Sequence, residues 1–326
     1  MSIVTVFGGS GFIGRYLARK LAKRGYRVRV AVRRPNEAIS LRLAGDVGQV
    51  EPIQVNIRDE ASTLRAIEGA DAVVNLVGIL YPTKRQKFDA VQREGAERVA
   101  RLCASRGISN LVHVSAIGAD AESDIPYVRT KGEAEQAVLK HVPNAVILRP
   151  SVVFGPEDEF FNRFAQMASI SPILPVIKGE TRFQPVYVSD VAEAIVRAVD
   201  GKAQAGATYE LGGPDIISMR EVLETVKRET GRQRFLVTVP DWIARIQAWF
   251  FEIPNWLLGI APVLTRDQLK VLNKDNIVAE GAKTLTDLRI IPTGMGAILP
   301  SYLYRYRSYG QYARNMPKRE APAIEG

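Results

Sequence analysis

Residues Val4 to Gly14 read V-T-V-F-G-G-S-G-F-I-G, and this stretch decides the fold. A β-branched run ends in a turn carrying Gly8, Gly9, Gly11 and Gly14, and an amphipathic stretch follows. That order predicts a strand, a glycine turn and the start of a helix. In such a turn one glycine permits the sharp bend, a second lets backbone approach a pyrophosphate, and a third lets helix pack closely on strand. The helix start then offers N–H groups and a positive dipole end to the phosphates. The turn formed by Gly8, Gly9, Ser10, Gly11, Phe12, Ile13 and Gly14 is therefore the expected phosphate cradle of a dinucleotide.

Outward from the turn, strand-like and helix-like segments alternate from Ile3 to about Phe154. That alternation predicts an α/β fold with a doubly wound parallel sheet. A chain of 326 residues with 46% hydrophobic content can bury a large core. After Gly155 the rhythm breaks and prolines accumulate at 156, 172, 175 and 185. Three regions are expected: a dinucleotide-binding core over 1–155, a cap over 156–300, and a basic, tyrosine-rich extended tail over 301–326. One strand of the cap, Thr208 to Leu211, is expected to return to the main sheet.

The spacing G-x-x-G-x-x-G resembles the short-chain dehydrogenase/reductase superfamily of the extended or atypical type. After the second predicted strand, Arg27 to Val32, come Arg33 and Arg34. An acid there would suit a ribose hydroxyl, whereas an arginine suits a 2′-phosphate. Arg33 lies 19 residues after Gly14 (33 less 14), so NADP(H) is favoured over NAD(H). The alternative is that both arginines are solvated turn residues. Asn56 and Ile57, within N-I-R-D, resemble the family's adenine-contacting turn. The strand Ala72 to Leu76 leads to Val77 and Gly78, where backbone passes the cofactor. Leu76, Val77 and Gly78 join the expected site.

Ser115 ends the predicted strand Leu111 to Ser115, and Tyr127 with Lys131 forms Y-x-x-x-K. Four residues apart on a helix, Tyr and Lys share a face. A lysine ammonium there is expected to favour tyrosinate, making Tyr127 a general acid or base, with Ser115 on the substrate carbonyl. Pro150 and Val153, in R-P-S-V-V-F-G, resemble the turn beside the nicotinamide, and Q-P-V-Y-V-S-D-V at Gln184 to Val191 a later strand-to-helix turn. The pattern has one departure. Gln92, three residues before Gly95, stands where active extended members carry Asn. Ser115, Tyr127 and Lys131 are thus either catalytic or retained for cofactor binding alone.

Cys103 is the only cysteine, so an intrachain disulfide is excluded, and it falls on the helical stripe Phe88, Val91, Gly95, Val99, Leu102. Two histidines, His113 and His141, without ligand spacing argue against a metal site. With a strand beginning at Ile3, no signal or transit peptide is expected ahead of it. The longest uncharged run, Ile290 to Tyr304, is broken by two prolines and falls short of the ~18–20 apolar residues of a spanning helix.

The segment 240–264 holds all three tryptophans, Trp242, Trp249 and Trp256. Trp242, Ile246, Trp249, Phe250 and Ile253 recur at helical spacing, which suits a core, a substrate lid, or a membrane or partner contact. From Ser301 onward, five tyrosines and five Lys/Arg stand against two acids. Tyr and Arg are enriched at interfaces. The net charge of +9 suits an anionic membrane surface. No nucleic-acid motif is visible, so nucleic acid is not an expected partner.

Nearly the whole chain also resembles the accessory-subunit family of respiratory complex I (NADH:ubiquinone oxidoreductase) called alpha-subcomplex subunit 9. The carrying segments are G-G-S-G-F-I-G, G-D-V-G-Q-V at Gly45 to Val50, N-L-V-G at Asn75 to Gly78, H-V-S at His113 to Ser115, and Y-V-R-T-K at Tyr127 to Lys131. F-G-P-E-D-E-F-F-N-R-F-A at Phe154 to Ala165 and L-T-R-D-Q-L at Leu264 to Leu269 continue them. The resemblance implies a structural NADPH, with Gly8, Gly11, Gly14 and Arg33 on its phosphates and Tyr127 and Lys131 on the nicotinamide ribose. It implies a place on the peripheral arm near the membrane and quinone site, outside the electron path. Trp242, Trp249, Phe250 and Trp256 would then face lipid and neighbouring subunits. The expected location is the cytoplasmic face of a bacterial inner membrane, in an alphaproteobacterial version, or the matrix side in a mitochondrial one. The competing expectation is a free NADP-dependent reductase or epimerase.

Overall fold

The computed structural model describes residues 1–83, 86–240, 242, 266–308, 310 and 312. Seven parallel strands form the main sheet: β1 (Ile3–Phe7), β2 (Arg27–Val32), β3 (Val50–Gln54), β4 (Ala72–Asn75), β5 (Leu111–Val114), β6 (Val146–Pro150) and β11 (Thr208–Leu211). Their spatial order is β3-β2-β1-β4-β5-β6-β11. The chain runs outward from β1 to β3, then returns and runs the other way from β4. The crevice at the carboxyl ends of β1 and β4 is therefore the switch point where ligands bind in such sheets.

Sequence alternation sets the two faces. Val4 and Val6 point to one side, where α1 (Phe12–Lys23) and α6 (Val188–Val199) bring Leu17, Leu21, Val191 and Ile195. Phe7 points to the other, packing with Ile67 of α2 (Glu60–Ile67), Val99 and Cys103 of α3 (Glu94–Ser105), and Ala134 and Val138 of α4 (Pro126–His141). Burial on both faces explains why these strands read as nearly continuous apolar runs. Each fully buried Val, Leu or Phe contributes roughly 1.5–3 kcal/mol.

Strands β4 and β5 each stop one residue short of expectation. Leu76 N still donates to Phe7 O (3.0 Å) and Ser115 N to Leu148 O (2.8 Å), so both residues lie at the crevice rim.

Beyond the sheet, three two-stranded ribbons form. β7 (Val153–Phe154) pairs with β10 (Val186–Tyr187), and β9 (Arg182–Phe183) with β12 (Ile217–Ser218). β8 (Ile173–Val176) pairs with β13 (Phe235–Thr238). A third core joins Phe154, Phe161 and Ala165 of α5 (Phe161–Ile170), Val222 and Val226 of α7 (Met219–Thr230), and Met295, Tyr302 and Leu303. α7 starts at a capping box between Ser218 and Glu221 and ends at Gly231 in the left-handed region.

The start of the tail departs from expectation. Residues Pro300–Leu303 are helical and Tyr304–Tyr306 form a 3-10 turn, rather than an extended arm. Tyr302 is 2% exposed and Leu303 fully buried, so the third core holds them. Residues 313–326 lie outside the described residues, as do Trp249, Phe250 and Trp256. Trp242 is 64% exposed. Among the described residues no helix is long and apolar enough to cross a membrane.

Candidate functional site

The glycine turn is built by backbone needs. Gly8 sits at φ +76°, where a Cβ is strained, and its N–H donates to Ala31 O at 3.0 Å. A Cβ on Gly14 would fall 2.5 Å from Gly9 O, so only glycine lets α1 lie this close to the turn. The N-cap of α1 is Gly11, which has no side chain to cap the helix, and its first turn contains no acid. The first N–H groups of a 12-residue helix are thereby left without a side-chain acceptor. This donor set fits a pyrophosphate.

A cavity of about 280 Å³ opens beside the turn. Gly8, Ser10, Gly11, Arg33, Asn56, Ile57, Leu76, Val77 and Gly78 all line it. Gly9, Phe12, Ile13 and Gly14 do not; Gly9 and Gly14 serve packing within the turn. The lining contains two cations, Arg33 and Arg58, and no acid. Arg58 was missing from the sequence-derived set, although it adjoins Asn56 and Ile57; Asn56 Oδ1 accepts from its backbone N (3.2 Å). A separate open depression at the end of α7, lined by Lys227, Arg228 and Arg232, shares none of these groups.

The two arginines after β2 behave differently. Arg34 is paired with Glu37 at 2.9 Å, whereas Arg33 lines the cavity and has no ion pair or hydrogen bond among the described residues. An arginine in that position fits a phosphate monoester on the adenosine ribose.

At the other end, Ser115 follows β5 and Tyr127 and Lys131 project from α4. A Cβ on Gly78 would lie 3.3 Å from Lys131 Nζ, so this trio adjoins the cavity. Pro150 ends β6 and accepts from Ile117 N (3.1 Å), while Val153 opens β7; both border the trio's loop without lining the cavity. Ser115 is 4% exposed and its Oγ has no hydrogen-bond partner. Lys131 Nζ donates to Val114 O at 3.3 Å. Tyr127 meets Phe88 edge-on, centroids 5.9 Å apart. Among the described residues no hydrogen bond joins Ser115, Tyr127 and Lys131.

The expected electrostatics of Tyr127 are reversed. Burial raises its pKa rather than the lysine lowering it. Burial also pushes Lys131 down from 10.5 to about 8, against the pull of Glu135. A weakened, desolvated ammonium gives tyrosinate little support. His113, beneath the trio, is pushed down to about 3 by burial and then by Lys131. Its Nδ1 lies 3.2 Å from Asn75 Nδ2, and Asn75 Oδ1 accepts from Val77 N, which orients the amide. His113 is therefore neutral, with its proton on Nε2.

Gln92 lies on a π-helical turn, Asp89–Arg93, a distortion often seen at functional sites. Its Nε2 donates to Ile79 O (2.6 Å) and its Oε1 accepts from Thr130 Oγ1 (3.1 Å). The side chain thus staples the loop after Gly78 to the helix carrying Tyr127 and Lys131.

Comparison with known proteins agrees with this architecture. Residues 4–212 match the model of the NAD dependent epimerase/dehydratase family. The chain is 36% identical to "NADH dehydrogenase [ubiquinone] 1 alpha subcomplex subunit 9, mitochondrial" of Arabidopsis thaliana, covering 94% of this chain and 79% of that one. It is 33% identical to the "NADH-ubiquinone oxidoreductase 40 kDa subunit, mitochondrial" of Neurospora crassa, over 94% and 80%. Among solved structures, UDP-glucuronic acid 4-epimerase from Bacillus cereus, in complex with UDP-glucuronic acid and NAD, superposes with a TM-score of 0.63. It is 19% identical, over 84% of this chain and 98% of that one, and so shares the fold. The chain belongs to the NAD dependent epimerase/dehydratase family and, within it, to the alpha subcomplex subunit 9 proteins of NADH:ubiquinone oxidoreductase.

Proposed function

We propose that this protein is a non-catalytic accessory subunit of a respiratory NADH:quinone oxidoreductase that holds NADPH as a structural element. One observation carries the reading. The family model ends at residue 212, yet similarity to the complex I subunits covers 94% of the chain, including the part that the generic family leaves out.

The glycine turn and the N–H groups of α1 would hold the pyrophosphate, Arg33 the 2′-phosphate, and Asn56 and Ile57 the adenine. Leu76, Val77 and Gly78 would line the path to the nicotinamide, Tyr127 and Lys131 would hold its ribose, and Pro150 and Val153 would flank its ring. Bound NADPH would carry a transferable hydride on its nicotinamide, which this reading leaves untransferred. Retention without turnover is supported at the reacting end by a Tyr127 held protonated by burial and a Gln92 committed to two protein groups. The exposed Trp242 supports an aromatic contact, continued by Trp249, Phe250 and Trp256, with the membrane surface or neighbouring subunits. The proposed place is the peripheral arm near the quinone site, on the cytoplasmic face of a bacterial inner membrane or the matrix side of a mitochondrial one.

The unpartnered Ser115 Oγ also favours a second reading, a free NADP-dependent reductase or epimerase with Tyr127 as proton donor. Purification from mildly solubilised membranes separates the two. Co-migration with a large NADH:quinone oxidoreductase supports the accessory role; a free oligomer that exchanges NADP(H) and turns over a carbonyl substrate overturns it.

A further inference from the structure

Two distant parts of the chain meet on the loop 155–160. From one side comes the glycine turn. Arg15, in the first turn of α1, donates through Nε to Glu157 Oε2 (2.8 Å) and through Nη1 to Ser10 O (2.9 Å). Ser10 lines the dinucleotide cavity. A Cβ on Gly155 would lie 3.3 Å from the Phe12 ring, so the loop rests directly on the first residue of α1. From the other side comes the C-terminal segment. Asp158, buried, accepts from Gly155 N (3.1 Å), Phe160 N (2.9 Å) and Asn162 N (3.1 Å), and from the Tyr302 hydroxyl. Arg305 donates to Pro156 O (2.9 Å) and, through Nε, to Tyr302 O (2.9 Å).

We propose that residues 155–160 are a strap across the phosphate end of the dinucleotide site, latched to the glycine turn by Arg15–Glu157 and held shut by the docked C-terminal segment. The inference rests on the dinucleotide reading and adds how the ligand is retained. Ser10 and Gly11 line the cavity at the start of α1, and the strap lies against the adjoining Phe12 and Arg15. Release then requires the latch to part or the loop to lift off Phe12. The loop lifts only if Asp158 gives up contacts that fix its backbone, one of them from a residue 144 positions away. Linkage makes the coupling reciprocal: a bound dinucleotide holds the strap down, and the strap holds the C-terminal segment in the third core. The two contacts differ in strength. Arg15 and Glu157 are 34% and 44% exposed, so their pairing is screened. The Tyr302–Asp158 bond is buried and charge-assisted.

The test is release of NADPH from the full-length protein into excess 2′,5′-ADP, followed by loss of nicotinamide fluorescence. Glu157→Gln, at an exposed position that leaves the fold intact, is expected to speed release about two- to five-fold. Tyr302→Phe is expected to speed it roughly ten-fold. Bound NADPH is expected to slow amide exchange across 300–306 in the parent protein and less so in Tyr302→Phe. Release from Glu157→Gln at the parental rate, with exchange across 300–306 indifferent to NADPH, overturns the strap while leaving the dinucleotide reading in place. A parent protein that binds no NADPH overturns both.

Discussion

The two ends of the dinucleotide groove differ in how completely their polar groups are already used. At the phosphate end, Gly11, the N-cap of α1 with no side chain, and Arg33 line a cavity that has no acid in its lining. At the nicotinamide end the chemistry-bearing residues are present but engaged elsewhere or isolated. Lys131 donates to Val114 O, Gln92 is spent on Ile79 and Thr130, and Ser115 and Tyr127 are not joined. A binding site needs donors left free for the ligand, whereas acid–base catalysis needs a tuned pair within hydrogen-bond reach. The contrast teaches that residue identity at a Ser-Tyr-Lys set does not fix its role; the surrounding hydrogen bonds and desolvation do.

The strongest way to break this comparison is at the phosphate end. Arg33→Glu replaces attraction by repulsion and is expected to weaken NADPH binding by roughly 100-fold, with little change for NADH. Titration with both nucleotides checks it, and equal weakening of the two, or of neither, would remove the 2′-phosphate assignment. Gly14→Ala tests the cradle itself. Its new methyl meets Gly9 backbone at 2.5 Å and is expected to cost about 1–3 kcal/mol in urea unfolding and to weaken all dinucleotides alike.

The nicotinamide end gives smaller effects. His113 has a folded-state pKa of about 3 against an ordinary 6.5. Between those values the unfolded chain binds a proton that the native protein refuses, so stability is lost as pH falls from 6.5 towards 3. About 2 kcal/mol of that loss is expected by pH 5, where ordinary carboxylates are still mostly ionised. His113→Gln is expected to flatten this part of the curve; an unchanged slope would mean that His113 is not held neutral. The smallest effect sharpens the contrast most. Tyr127→Phe is expected to change NADPH retention by less than about two-fold, because the phosphate contacts dominate. A large loss would show that the two ends are not separable, and a turnover abolished by the same change would make the set catalytic.

Much of this was legible in the sequence. The glycine spacing gave the turn, the alternation of β-branched runs with helical stripes gave the parallel sheet, and Y-x-x-x-K placed Tyr127 and Lys131 on one helix face. What was not legible depends on tertiary packing. Arg33 and Arg34 are neighbours of the same type, and only the Glu37 pairing separates them. The field of Lys131 on Tyr127 was expected to dominate, but burial outweighs it, and burial is set by the whole fold. The tail read as an extended arm suited to an interface because its tyrosines and arginines dominate its few apolar residues. Tyr302 and Leu303 are buried in the third core and help to seat its first turns. The Arg15–Glu157 contact joins residues 142 positions apart and leaves no local trace.

The most direct test of retention without turnover follows the nucleotide through work. The respiratory assembly containing this subunit would be isolated, its bound nicotinamide nucleotides extracted and identified, and the measurement repeated after sustained NADH oxidation with quinone. The account predicts stoichiometric NADPH, still reduced and still bound, before and after. NADPH that is oxidised or exchanged during those turnovers would contradict it.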